Sequence, residues 1–187
     1  KAKGYDHIHV SPNSEIMRTL NRIGFIEMGF PYFGWLIAVF STVIRVALAH
    51  GCNLIFYAED GEVEYGGSTE NKNVGLFGID YMKAAYFEGG YEQVMNQVSY
   101  TDQEMYYWKF PQESEVVDKN LFLTHWSYFE AWDPYRNYLV AKEHCGLGES
   151  DSRNTGTFTN FAQNDQELFA LHAYMMYLKL GFGRATQ

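Results

Sequence analysis

Polar and apolar residues alternate in YDHIHV, residues 5–10, and a period of two predicts a strand. The spacing then lengthens. In SPNSEIMRTLNRIGFIEM, Ile16, Leu20 and Ile23 form the stripe of a helix, with Ser11 expected as N-cap and Pro12 at its first position. Gly29-Phe30-Pro31 breaks this helix, and residues 35–50 predict a second, nearly all-apolar one. CNLIFYA (52–58) is a continuous apolar run between Gly51 and an acidic loop, the pattern of a buried parallel strand. Beyond it, 80–88 reads as a helix, 101–109 as a short helix capped by Thr101, and LFLTHWSYF (121–129) as a third strand. DPYRNYLVAKEHC (133–145) predicts a helix with Asp133 as cap, Pro134 at its first position and Gly146 as its end. Residues 164–181 give the clearest helical pattern, with Asn164 as cap, Glu167 as capping-box partner and a stripe of Leu168, Leu171, Met175 and Leu178. Strand, helix, helix, strand predicts an α/β class: a parallel twisted sheet with helices on both faces and a more helical C-terminal part.

Composition narrows the function classes. A chain of 187 residues suits one domain, or one domain with an excursion. Its net charge of −9, with no basic cluster, argues against a nucleic-acid partner. Aromatic residues at 18% supply a packed core and stacking surfaces. Cys52 and Cys145 lie in no zinc or CxxC spacing, which predicts a reducing, cytoplasmic setting. The longest apolar run, WLIAVFSTVIRVALA, is short for a bilayer and is interrupted by Arg45, so a buried helix is expected rather than membrane insertion. The chain starts at KAKGYDHIHV without Met, which suggests that an N-terminal portion precedes it.

Four stretches carry candidate chemistry. YAEDGEVEYGGSTE (57–70) places Glu59, Asp60, Glu62, Glu64 and Glu70 after a strand, with Gly66-Gly67 allowing close backbone approach to an anion. Either this is a solvated turn, or its carboxylates hold a divalent metal that a phosphate ligand brings. His7 and His9 share one face of the expected strand, but no third ligand is spaced to match, so a rim role outweighs a metal site. THWSYFEAWDPYRNY (124–138) gathers His125, Trp126, Tyr135 and Arg136, a set suited to a sugar: rings stack on its face while polar groups fix its hydroxyls. Capping accounts for Asp133 and Pro134 there, but less well for Arg136, whose charge opposes the helix dipole. TGTFTNFAQNDQE (155–167) offers Asn160, Gln163 and Asp165 beside a helix start, beyond what capping by Asn164 needs. Met175 and Met176 read as core. No nucleophile elbow, Cys–His pair or phosphate-binding glycine loop is present.

AEDGEVEYGGSTE, IDYMKAAYFEGGYE, LTHWSYFEAWDPYRNYLVAKEHCGL and GTFTNFAQNDQELFALHAYMMYLKLGFGRA together resemble the N-acetyl sugar amidotransferases, PP-loop ATP pyrophosphatase-type enzymes of lipopolysaccharide and surface-glycan biosynthesis. The resemblance runs from about Asp6 onward. It implies a PP-loop, adenine-nucleotide α-hydrolase-like fold, with 1–80 as the later part of the nucleotide-binding domain and 81–187 as a helical substrate region. It implies conversion of an acetamido group on a nucleotide-linked sugar into an acetamidino group. ATP and Mg²⁺ are the implied cofactors, a glutaminase subunit supplies ammonia, and a homo-oligomer is a further expectation. By analogy with the acidic loop of asparagine synthetase, Glu59 and Asp60 fall at a metal–pyrophosphate contact, with Glu62, Gly66 and Gly67 close to ATP. The SGGxDS-type phosphate cradle of that family and its cysteine-rich N-terminal portion are absent from this sequence, so the chain by itself is expected to bind ATP weakly and not to turn over. A non-catalytic glycan- or partner-binding domain is one alternative. A PP-loop enzyme with another acceptor, such as a tRNA base, is a second, disfavoured by the acidic charge.

Overall fold

Asn13, not Ser11, starts the first helix. Its side-chain oxygen accepts hydrogen bonds from the backbone of Glu15 (2.9 Å) and Ile16 (3.4 Å), and α1 runs Ser14–Met28. Both Asn and Ser cap well, so composition alone does not choose between two candidates two residues apart. Gly29 ends α1 at φ 63°, a left-handed conformation that suits glycine. The computed structural model behind this description covers residues 4–59, 74–87, 89–154, 157–161 and 167–181. The expected strand at 5–10 does not form: residues 5–13 carry no regular structure, and Tyr5 and Ile8 are exposed. Alternation stabilises a strand only beside another strand, and no described residue pairs with this one.

Helix α2, Phe33–Ala49, packs against α1 at close range. Its cap residue Tyr32 offers no side-chain bond, and Asn21 of α1 fills that role instead, its Oδ1 accepting from the Trp35 N–H at 3.0 Å. Gly34 makes the close approach possible, because a Cβ there would lie 2.6 Å from Leu20 Cβ. Strand β1, Leu54–Tyr57, pairs in parallel with β2, Phe122–His125, in the register Leu54↔Phe122, Ile55↔Leu123, Phe56↔Thr124 and Tyr57↔His125. On the outer edge of β2, Phe77 exchanges two backbone bonds with Leu123 in an antiparallel bridge. Among the described residues β1 pairs only with β2.

Among the described residues the chain is thus mixed α/β, with seven helices and a two-stranded parallel sheet. The remaining helices are α3 (Ile79–Phe87), α4 (Tyr91–Met95), α5 (Glu113–Asp118), α6 (Pro134–Cys145) and α7 (Glu167–Leu180). One core joins α1 to α5 and both strands, with Leu20, Ile37, Ile44, Met82, Val94, Trp108 and Leu123 inside it. The run at 52–58 is not buried throughout: Ile55 faces this core, while Leu54 and Phe56, with Phe122 of β2, face outward.

The expected short helix at 101–109 is a series of turns opened by Thr101, whose N–H and hydroxyl both donate to Glu104 while its Oγ1 accepts from the Glu104 N–H. It is strapped along α2 by three successive residues. Ser41 Oγ donates to the Tyr107 carbonyl, Trp108 Nε1 donates to the Gly34 carbonyl at 2.9 Å, and Arg45 donates twice to the Lys109 carbonyl at 3.0 and 2.6 Å. The Arg45 guanidinium also lies 4.1 Å from the centre of the Tyr106 ring. That contact explains how a charge sits in so apolar a helix. Among the described residues no helix is long and apolar enough to cross a membrane.

Helix α6 follows its sequence closely. Asp133 accepts from the Tyr135 and Arg136 N–H groups, both at 3.0 Å, Pro134 opens the helix, and Gly146 closes it at φ 70°. The stripe expected on α7 does not face the core. Leu168 and Leu178 are exposed, and Phe169 is buried instead. The helix lies across the α1–α2 turn, where the His172 ring meets Phe30 and Tyr32 and Lys179 Nζ donates to the Met28 carbonyl. The face that meets this turn carries His172, Met175 and Lys179, so of the expected stripe Met175 lies beside Gly29 while Leu168 and Leu178 are exposed. The Asn164 cap and the side chain of Glu167 lie outside the described residues.

Candidate functional site

Parallel pairing sets the ends of β1 and β2 side by side, and ligands in parallel sheets gather at such carboxyl ends. His125, the last residue of β2, is 3% exposed. Its ring is stacked between Tyr57 (centroids 5.4 Å, planes 27° apart) and Phe77 (5.3 Å, 18°). Thr124 beside it is anchored by its hydroxyl, which donates to the Gly75 carbonyl. The Tyr57 hydroxyl is buried and has no hydrogen-bond partner among the described residues. Burial pushes its pKa well above the usual tyrosine range, and the charges of Tyr86 and Glu59 push it further the same way. Tyr57 is therefore neutral, and its ring packs against Phe40 on the core side of β1 (centroids 5.4 Å). Glu59, two residues past β1, is exposed.

The outward face of the strand pair carries an aromatic platform. The Phe56 ring is stacked on Phe129 (5.3 Å, 30°) and tilted against Trp126 (5.7 Å, 55°). Trp126 is 39% and Phe129 65% exposed, so flat ring surface remains open to a ligand. Residues 126–128 form a single 3-10 turn that swings Trp126 out of the strand line.

The other substrate candidates form a second group on α6. Arg136 is paired with Glu130 and still more than half exposed. This partner answers the dipole objection, since it offsets the charge at the helix start. Tyr135 is 60% exposed and leans on Tyr138 (5.9 Å) and Phe161 (6.3 Å). Asn160 is committed locally: its Nδ2 donates to the Ser150 carbonyl at 3.1 Å and to Glu149 at 3.3 Å, while its own carbonyl accepts from the Ser150 N–H at 2.8 Å. These bonds fold 149–154 and 157–161 back onto α6, where Phe161 stacks on Tyr138 (4.1 Å, 16°) and Glu149 accepts from both Tyr138 and Lys142. The structure thus brings His125 and Trp126 to the end of β1, and Tyr135 to Asn160 and Phe161.

Those bonds give the loop an acid-sensitive latch. Lys142, then Tyr138, donate to the Glu149 carboxylate and hold its pKa at about 2, against an ordinary 4.5. A depressed carboxylate stabilises above its unfolded pKa and loses that contribution as pH falls through the folded one. Lys142 is shifted up by the same Glu149 contact, so its contribution is lost only at high pH. Tyr138–Phe161 ring contacts in NMR spectra should hold at neutral pH and weaken as pH falls from 4.5 to about 2. Glu149→Gln should remove that transition.

Asp60, Glu62, Gly66, Gly67, Gln163 and Asp165 lie outside the described residues. Among the described residues no group of three His, Cys, Asp or Glu side chains could hold a metal. Of the acidic loop's carboxylates only Glu59 is among the described residues, and a hard cation such as Mg²⁺ needs several oxygen ligands. His7 and His9 face each other at 6.3 Å, and His9 is hydrogen-bonded to Ser11 at 2.8 Å. Tyr57, Phe56, Phe129 and Glu130 belong to the site region but stand outside the sequence-level candidates, because their importance comes from cross-strand pairing. The one usable signal is parity: Phe56 and Tyr57 occupy the last two pairs of the strand register, on opposite faces. A comparison of the chain with family models returns no match, and a comparison with curated proteins returns none either.

Proposed function

We propose that the chain is part of an ATP-dependent amidotransferase that converts the acetamido group of a nucleotide-linked sugar into an acetamidino group in lipopolysaccharide or O-antigen assembly, in the cytoplasm. The observation that supports this most is the aromatic platform of Phe56, Trp126 and Phe129 beside the carboxyl ends of two parallel strands. Rings of this kind stack on a sugar or a base. In the reaction the amide oxygen attacks the α-phosphate of ATP and pyrophosphate leaves. Ammonia from a glutaminase subunit then adds to the activated carbon, and AMP departs with the former amide oxygen. Glu59 and Asp60 would hold the Mg²⁺ that accompanies ATP, which would neutralise charge on the triphosphate.

In this reading β1 and β2 belong to a larger parallel twisted sheet with helices on both faces. The edge of β1 away from β2, unpaired among the described residues, and the outward Leu54, Phe56 and Phe122 are the surfaces such a sheet would cover. Residues 1–80 then serve the nucleotide and 81–187 the sugar. The test uses the whole polypeptide with ATP, Mg²⁺, ammonium chloride and a nucleotide-linked N-acetyl sugar labelled with ¹⁸O in the acetamido group. The expected result is AMP carrying the label and a sugar whose amide oxygen has become nitrogen. Sugar binding without AMP release would replace this reading with a glycan-binding domain. Neither binding nor release would overturn both.

A further inference from the structure

A cavity of about 350 Å³ opens between α4 and the turns that follow it, and it shares no residue with the strand-end region. Its size falls at the small end of ligand pockets. Tyr91, Tyr100 and Phe110 give it ring surfaces. Tyr91 is held in place, its hydroxyl donating to the Trp108 carbonyl at 3.0 Å. Glu92 and Asn96 stand four residues apart across the end of α4 and project to one side. Both line the cavity, and among the described residues neither side chain has a hydrogen bond. Lys109 also lines it, tied only to Asp102, whose side chain is 92% exposed. A pair so open to water exchanges readily for another partner.

We propose that this cavity binds one sugar ring of pyranose size. The chemistry asks for a ligand with an apolar flat face and adjacent hydrogen-bond donors along its rim. A pyranose presents C–H groups to the rings, and its neighbouring hydroxyls can donate to the Glu92 carboxylate and pair with the Asn96 amide. A third hydroxyl accepts from Lys109. A nucleobase would stack equally well but offers fewer adjacent donors, and a phosphate would be repelled by Glu92. The inference does not rest on the amidotransferase reading, because its residues are separate.

Saturation-transfer NMR with methyl α-glucoside, methyl α-galactoside and N-acetylglucosamine tests it on the full chain. At least one should receive transfer at its ring C–H protons, and its binding should weaken about tenfold in Glu92→Ala, the loss of one charge-assisted hydrogen bond. Asn96→Ala should weaken it too. Both side chains are exposed, so both variants keep the fold. Amide shifts on titration should cluster at 91–110. No transfer from any of the three sugars overturns the proposal. So does binding that survives both substitutions. Shifts centred on Trp126 would also overturn it, while supporting a sugar at the strand ends.

Discussion

Trp108→Ala should lower stability by about 3–5 kcal/mol, the range for truncating a large buried aromatic side chain. Trp108 is fully buried, and it is the largest side chain in the core to be so. Its indole touches the core shared by α1 to α5, and its N–H ties that core to the Gly34 carbonyl. Set against the roughly 5–15 kcal/mol that ordinary domains possess, this single loss removes a large share of the stability. Trp108→Phe separates the two contributions. It keeps most of the ring volume and removes the donor, and the expected cost is about 1–3 kcal/mol. Urea unfolding of the three proteins gives both numbers. A loss under about 1 kcal/mol for the alanine variant would mean that residue 108 does not sit in the core.

Gly34→Ala should also destabilise, by about 1–3 kcal/mol, although the same change in an exposed helix stabilises by roughly 0.5–1 kcal/mol. The reversal of sign is the useful part. An added methyl at position 34 would meet Leu20 Cβ at 2.6 Å, and the Asn21 backbone nitrogen and Oδ1 at 3.0 Å each. None of these can swing aside, since a Cβ is fixed to its backbone and Asn21 Oδ1 is held by the Trp35 N–H. The helices would have to separate. That would stretch the Asn21 cap and pull the Gly34 carbonyl from Trp108 together. Thermal melting decides the matter: a raised midpoint would refute the close approach of α1 and α2.

How much of this was visible in the letters depends on how local each feature is. Helix α6 was legible from cap to end because Asp133, Pro134 and Gly146 act on their own neighbours. Helix α2 was legible because its apolar length leaves no other use for it, and both strands were found because they are apolar runs bounded by breakers. The features that escaped depend on what lies opposite. YDHIHV alternates but has no partner strand, and Asn13 outcompetes Ser11 through local geometry. Helices α4 and α5 are five and six residues long, too short to develop a periodic stripe. The expectation that Phe56 is buried failed because burial of a strand face depends on what covers it. Of the candidate site, His125, Trp126 and Tyr135 were named from their residue types. Their stacking on Tyr57, Phe56 and Phe161 follows from pairings that no single stretch records.

The strap at 107–109 carries a consequence for how this protein can vary. Surface connections usually absorb inserted or deleted residues, since their backbone bonds face water. Here three consecutive residues are each tied to a different point on α2 or its start, and a second tie from Tyr91 fixes Trp108 from the other side. Adding one glycine after Tyr106 would move all of these partners out of step at once, whereas changing Tyr106 itself costs one ring contact. The segment therefore tolerates substitution of letters but not a change in length, and its spacing to α2 is as fixed as that of a helix.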